Sequence, residues 1–244
     1  MLRQWPGRAS DSTDREARAL TLLEPTPIPA PKLLATSDGS ATGGVPALLM
    51  TRLQGRLDLT PADMPSWLRQ LAEMLAAIQE LRFEFPVYET APRPAPRDVP
   101  ASAHDRTLWR DVLTVLQQPR PEEALSFTHG DYQHFNVLWS RGKLSGVVDW
   151  AFPVVSSPDL DVGHCRLNLV VLFGLDPAKE FRSRYEAAAG RRQHPWWDLH
   201  RLTSYNPTEW HDIIPRQVGR RRPVDIAGMT GRVEDALRGA LARL

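Results

Sequence analysis

The chain has 244 residues, 42% of them hydrophobic and 24% charged, which bounds it to one large domain or two small lobes of ordinary globular composition. A formal net charge of +1 gives no pull toward nucleic acid or toward an acidic substrate. The single cysteine, Cys165, excludes an internal disulfide and a multi-cysteine zinc site, and no apolar run approaches the ~18 residues of a membrane span.

The first residues, MLRQWPGRAS, lack the apolar core of a signal peptide, and one cysteine fits a reducing compartment, so a cytoplasmic enzyme or binding protein is expected. MLRQWP reads as the end of a strand stopped by Pro6. TDREARALTLLE reads as a helix: Thr13 and Glu16 have capping-box spacing, and Ala17, Leu20 and Leu23 share one face. Alternate prolines hold EPTPIPAPK extended. LLAT and PALLMTRL read as strands flanking the turn-rich SDGSATGG. Residues 1–55 are therefore expected to form a small α+β unit in the order strand, helix, strand, strand.

LTPADMPSWLRQLAEMLAAIQELR begins a helical part, with Thr60 as cap, Pro61 in the first turn, and Leu68, Leu71, Leu75, Ile78 and Leu81 as its apolar stripe. FPVYETAPRPAPRDVP is a proline-rich loop or an insert. DRTLWRDVLTVLQQ is a second helix with Leu108, Val112, Val115 and Leu116 inward. LSFT is a short strand, and FNVLW and LSGVVDW pair around the turn SRGK. Beyond Pro158, DLDVGHCRLNLVVLFG, AKEFRSRYEAAAG and TGRVEDALRGALARL read as helices. Residues 56–244 thus form a larger, mostly helical lobe carrying one hairpin. A cleft between the lobes is the expected ligand site.

The stretch FTHGDYQHFNVLWSRGKLSGVVDW interrupts its strands with His129, Asp131, Asn136 and Asp149, none of which a hairpin needs. Pairing around SRGK brings Asn136 and Asp149 together at the strand ends, one loop away from Asp131. Oxygen donors so arranged suit a hard cation such as Mg²⁺, and an acid free of the metal can accept a hydroxyl proton, a role worth ~10²–10⁴-fold in rate. One base and two metal ligands are the parts of a phosphoryl-transfer site. Asp and Asn are also turn formers, so each residue alone fits a structural role. A metal-dependent hydrolase is another reading, through the His-x-Asp-x-x-His spacing of His129, Asp131 and His134, but it leaves Asp149 unexplained.

HGDYQHFNVLW followed by LSGVVDW resembles the catalytic core of the aminoglycoside phosphotransferase/choline kinase-like family, whose pattern is H-G-D-x-x-x-x-N-V-L and then a strand ending in I-D-W/F. The resemblance implies a protein-kinase-like, two-lobe α+β fold. It also implies transfer of phosphate from ATP (or GTP), with Mg²⁺, to a hydroxyl of a small molecule. On that basis Asp131 is the catalytic base, Asn136 and Asp149 hold Mg²⁺, and His129 braces the loop. SSPDLDVGH resembles the family's D-P-x-x-D-L-A, matching at Pro158 and Asp161, which implies loop support by Asp161; Asp159 also fits a plain helix start. REARALTLLEPTPIPAPKLLA resembles R-E-x-x-x-L-x-x-L…G-I-P-V-P, which makes Glu16 the partner of Arg3, with capping as the alternative. Arg3 is then expected at the nucleotide phosphates. ALLMTRLQG resembles the hinge segment LLMERLPG, so backbone around Met50, Thr51 and Leu53 is expected at the adenine edge, or else is an ordinary buried strand. The likeness is good over roughly residues 1–175 and holds only in pattern beyond, as in FRSRYEAAAG.

Two departures from the pattern stand out. Relatives carry two more strands and a phosphate-covering loop before the strand represented by MLRQWP, and no G-x-G-x-x-G stands in this chain. A partial N-terminal lobe with an exposed sheet edge is therefore expected, with an inactive or truncated nucleotide- or partner-binding protein as the alternative function. The family's histidine in L-A-x-L-H is Gln79 here, expected to be structural. Elsewhere, His164 and Cys165 read as core, and Trp196 and Trp197 as either pocket lining or core. The run Arg216, Arg220, Arg221, Arg222 reads as a solvated loop. Asp198, Glu209 and Asp212 are sparse and mixed with arginines, which does not argue for a polycationic aminoglycoside.

Overall fold

Short apolar runs separated by Gly- and Pro-rich turns build a small sheet first. In the computed structural model, which describes residues 1–4, 10–40, 44–88, 98–205 and 207–244, β1 (Leu2–Gln4), β2 (Leu33–Ser37) and β3 (Ala47–Met50) form an antiparallel sheet in the order β1-β3-β2. Helix α1 (Ser10–Leu23) contacts β2 and β3 and buries Ala19, Leu20 and Leu23. Because α1 begins at Ser10, Thr13 lies inside the helix and the capping box expected for Thr13 and Glu16 does not form. The strand stop at Pro6, part of the SDGSATGG connection and most of the proline-rich segment lie outside the described residues.

The larger lobe is helical. In α2 (Met64–Gln79) the cap is Asp63, which accepts from Ser66 N–H at 3.0 Å, and not Thr60. Both Thr-Pro and Asp-Met-Pro are start signals, and the apolar stripe begins after the second. Leu68, Leu71, Leu75 and Ile78 are fully buried, while Leu81 lies past the helix end and is half-buried. Asp105 caps α3 (Arg106–Gln117), which turns Trp109 and Leu113 inward with Leu108, Val112 and Leu116; Val115 is only half-buried.

Strand β4 (Ser126–Thr128) pairs with β7 (Val154–Ser156), and β5 (Val137–Ser140) pairs with β6 (Lys143–Val147). Arg141 and Gly142 join the second pair with φ of 51° and 73°, the signature of a two-residue type I′ turn. Helix α4 (Asp159–Phe173) is buried along all but its last residue and contacts α5 (Leu175–Ala189), α6 (Pro195–Leu202) and α8 (Met229–Leu241). α7 (Pro207–Val218) contacts α8 and contains Pro215. Of the basic run, Arg222 is anchored: it donates to Leu59 O at 3.1 Å and lies 4.5 Å over the Phe173 ring. Among the described residues no helix is long and apolar enough to cross a membrane.

Candidate active site

The chain leaves β4 into a loop that only glycine permits. Gly130 has φ of 80°, and a Cβ there would overlap the Phe152 carbonyl, lying 2.8 Å from its carbon. His129 is fully buried and ties the loop in three directions. Its N–H donates to Asp161 Oδ2 at 2.7 Å, its Nε2 meets Val148 O at 3.0 Å, and its Nδ1 accepts from Asp131 N–H at 3.3 Å. Asp161 Oδ1 also faces Tyr132 N–H at 3.5 Å. Bracing by His129 and loop support by Asp161 are thus visible as direct bonds.

Asp131 is a hub of donors. Its Oδ1 meets His164 Nε2 at 2.6 Å and Gln133 Nε2 at 3.0 Å, and its Oδ2 accepts from Asn136 Nδ2 at 2.9 Å. The Asn136 amide also donates to Asp131 O at 2.8 Å. Burial pushes the carboxyl pKa up, but the His164 hydrogen bond, the two neighbouring imidazoles and the Asn136 amide outweigh it and bring it down to about 2. His164, expected as core, is buried as predicted, but its ring reaches the site. The signal available in the sequence was its spacing: three residues after Asp161, one turn along the same face of α4.

The hairpin register brings the next two residues together. Asn136 closes a 3₁₀ turn, and its carbonyl accepts Val148 N–H at 2.9 Å, beside the pair Val137↔Val147. Asp149 follows in a left-handed conformation, φ 67°. Arg3 donates to Asp149 Oδ1 at 2.5 Å and to Glu16 Oε1 at 2.8 Å, so the small sheet, α1 and the hairpin meet on one guanidinium. Glu16, 1% exposed, therefore serves the pairing and not a cap. The Asn136 nitrogen is held by Asp131, and among the described residues its amide oxygen takes no hydrogen bond. With the one-third-exposed Asp149 carboxylate it offers hard oxygen donors, a set that fits Mg²⁺ shared with phosphate oxygens.

Not all expected hinge groups are open. Met50 N–H bonds Met1 O at 2.9 Å, Met50 O accepts from the Met1 amine at 2.5 Å, and Thr51 N–H bonds Lys32 O at 2.9 Å. Pairing with β1 and with Lys32 therefore withdraws Met50 and the Thr51 N–H from an adenine edge, leaving the Thr51 carbonyl and the backbone of Leu53. The Leu53 side chain closes on β6, where a Cβ at Gly146 would lie 2.6 Å from it.

The hydrolase reading does not survive this geometry. His134 packs against Trp67, Phe135 and Phe173, and burial holds its pKa down to about 3. Among the described residues no three His, Cys, Asp or Glu side chains are grouped to hold an ion. Trp196 and Trp197 are core, the latter donating to Glu123 Oε2 at 3.0 Å. Gln79 is structural as expected: it donates to Pro158 O at 2.7 Å and accepts from the Tyr185 hydroxyl at 2.5 Å. Asp198 is buried between Arg166, Arg243 and Gln193, closed to any polycation.

The model of the phosphotransferase enzyme family matches residues 1–203. Among solved structures, a Ralstonia eutropha JMP134 protein provisionally described as an aminoglycoside phosphotransferase superposes with a TM-score of 0.64 at 17% identity, covering 100% of this chain and 86% of that one. A thermostable mutant of aminoglycoside phosphotransferase APH(4)-Ia, in ternary complex with ADP and hygromycin B, gives 0.62 at 17% identity, covering 98% and 93%. The GDP complex of aminoglycoside 2′-phosphotransferase-IIIa gives 0.63 at 19%, covering 94% and 83%. No curated protein matches. A family match over so much of the chain, on a frame superposable along nearly its whole length, places it: the protein belongs to the phosphotransferase enzyme family and has the kinase-like fold of the aminoglycoside phosphotransferases.

Proposed function

We propose that the protein transfers a phosphoryl group from ATP or GTP to a hydroxyl of a small molecule, and that Asp131 receives that hydroxyl. The observation that carries this reading is the Asp131 carboxylate, ionised at neutral pH and held from both oxygens by His164, Gln133 and Asn136. A base of such low pKa does not strip a hydroxyl in the ground state. It accepts the hydroxyl's hydrogen bond, aims the oxygen, and takes the proton as transfer completes, which suits a loose transition state where positioning dominates. Arg3, which bonds Glu16 and Asp149, would meet the nucleotide phosphates. Asn136 and Asp149 would hold Mg²⁺, which when bound neutralises charge on the phosphates. The Thr51 carbonyl and the Leu53 backbone are the proposed adenine contacts.

The ligands of the similar structures, ADP with hygromycin B in one and GDP in another, support a nucleotide and a small-molecule acceptor. The acceptor of this chain is proposed only as an alcohol. Thermal denaturation with Mg²⁺ and ATP or GTP tests the reading. At nucleotide about 100 times Kd the fold gains about 2.7 kcal/mol, a rise in Tm of about 5–10 °C. No shift with either nucleotide contradicts it. A shift without transfer to any alcohol favours a nucleotide-binding protein without catalysis.

A further inference from the structure

The shortest contact to Asp131 comes from α4, outside the loop and hairpin that carry the other site residues. His164 lies on α4, 3% exposed, with Nε2 2.6 Å from Asp131 Oδ1. Its other nitrogen, Nδ1, lies 2.6 Å from Nη2 of Arg201 on α6. A guanidinium has donors only and does not lose its proton. Nδ1 must therefore present its lone pair, and the single ring proton sits on Nε2, facing the carboxylate. The competing contact, Asn168 Nδ2 at 3.5 Å from Nε2, is weaker, and that amide already donates to His164 O at 3.0 Å.

Gly163 is what lets α6 come this close. A Cβ there would lie 2.6 Å from Trp197 O and 3.1 Å from Arg201 Cγ. The charged and titratable groups around the ring are Asp131 from the loop, Asp161 from α4, Arg201 from α6 and His134 from the 3₁₀ turn. Burial and the Arg201 charge hold the imidazole below its ordinary range against the pull of the two acids.

Each carboxylate oxygen has two lone pairs. Among the described residues, Oδ1 accepts from both His164 and Gln133, while Oδ2 accepts from Asn136 alone. Resting on the reading that Asp131 receives the acceptor, we infer that His164 is its positioning residue: a neutral imidazole, its tautomer fixed by Arg201, saturates Oδ1 and leaves Oδ2 as the atom that meets the acceptor hydroxyl.

The test has a spectroscopic and a kinetic arm, both on the full chain. In ¹⁵N-histidine-labelled protein, His164 should keep an unprotonated Nδ1 and a protonated Nε2 from pH 6 to 8, and Arg201→Met should abolish that fixed tautomer. His164→Leu should lower turnover about 10–100-fold with little change in nucleotide KM, and His164→Gln, which keeps a donor, should recover most of it. Turnover is read with the best alcohol from a screen, or with water as acceptor if none is found. Asp131→Asn separates the two ideas. If it turns over at the wild-type rate, the role of Asp131 fails. If it is inactive while His164→Leu keeps wild-type turnover, or if Nδ1 is protonated above pH 6, the role of His164 is overturned.

Discussion

Gly130→Ala probes the join between fold and chemistry. Gly130 and Gly190 both have positive φ, 80° and 65°, but their surroundings differ. At Gly190, which ends α5, a Cβ meets nothing within 4 Å, so alanine incurs only the left-handed backbone penalty of about 1–2 kcal/mol. At Gly130 the new methyl overlaps the Phe152 carbonyl, backbone against backbone, with no flexible side chain to yield. Relief requires the loop or the Phe152 segment to shift by about an ångström, and Asp131 is the next residue. Either the fold loses about 3 kcal/mol or more, or Asp131 is displaced from His164, Gln133 and Asn136, where a 1 Å error lowers the rate about 10²-fold. Urea unfolding and turnover on both variants measure this. For a chain of this size about 3 kcal/mol is about 6–12 °C in Tm. If Gly130→Ala matched Gly190→Ala in stability and kept full turnover, the close approach to Phe152 would have no consequence and the reasoning would fail.

Asp131→Ala should abolish transfer while leaving Mg²⁺–nucleotide affinity nearly intact, and Asp149→Asn should weaken that affinity; isothermal titration alongside product formation separates them. The folded pKa of Asp131 is depressed from 3.8 to about 2, so its ionised form adds stability of about 2 kcal/mol above pH 4 that is lost as pH falls from about 4 to about 2. Unfolding free energies of wild type and Asp131→Asn across that window should therefore converge by this amount, and parallel curves would contradict the depressed value. Asp198→Ala strips a buried partner from Arg166 and Arg243 and should destabilise by about 3–5 kcal/mol, seen as a lower urea midpoint.

What could be read from the sequence was what local chemistry determines. The type I′ turn at Arg141-Gly142 sets the hairpin register next to the turn, but a one-residue shift at Leu138–Trp139, which the sequence does not announce, is what lets the Asn136 carbonyl take Val148 N–H and so brings Asn136 beside Asp149. Glu16 admitted two readings because Thr13 happened to stand at capping distance; only the position of β1 against α1 decides for Arg3. Hidden features depend on partners distant in the chain. Met50 looked like an open hinge residue until Met1 paired with it. His164 looked like core because its neighbours are apolar. Its contact with Asp131 spans the whole hairpin, and its contact with Arg201 requires α6, an eight-residue helix too short to show a period. Helix α7 was hidden by Pro215, ordinarily read as a breaker.

The most direct test of the central claim is phosphoryl transfer itself. Purified protein with Mg²⁺ and ATP or GTP, incubated with a panel of small alcohols including aminoglycosides, is followed by mass spectrometry of the acceptor. One alcohol or a related set should gain a single phosphate, dependent on nucleotide and absent with Asp131→Ala. Transfer at an undiminished rate by Asp131→Ala, or a protein that binds neither nucleotide, would contradict it.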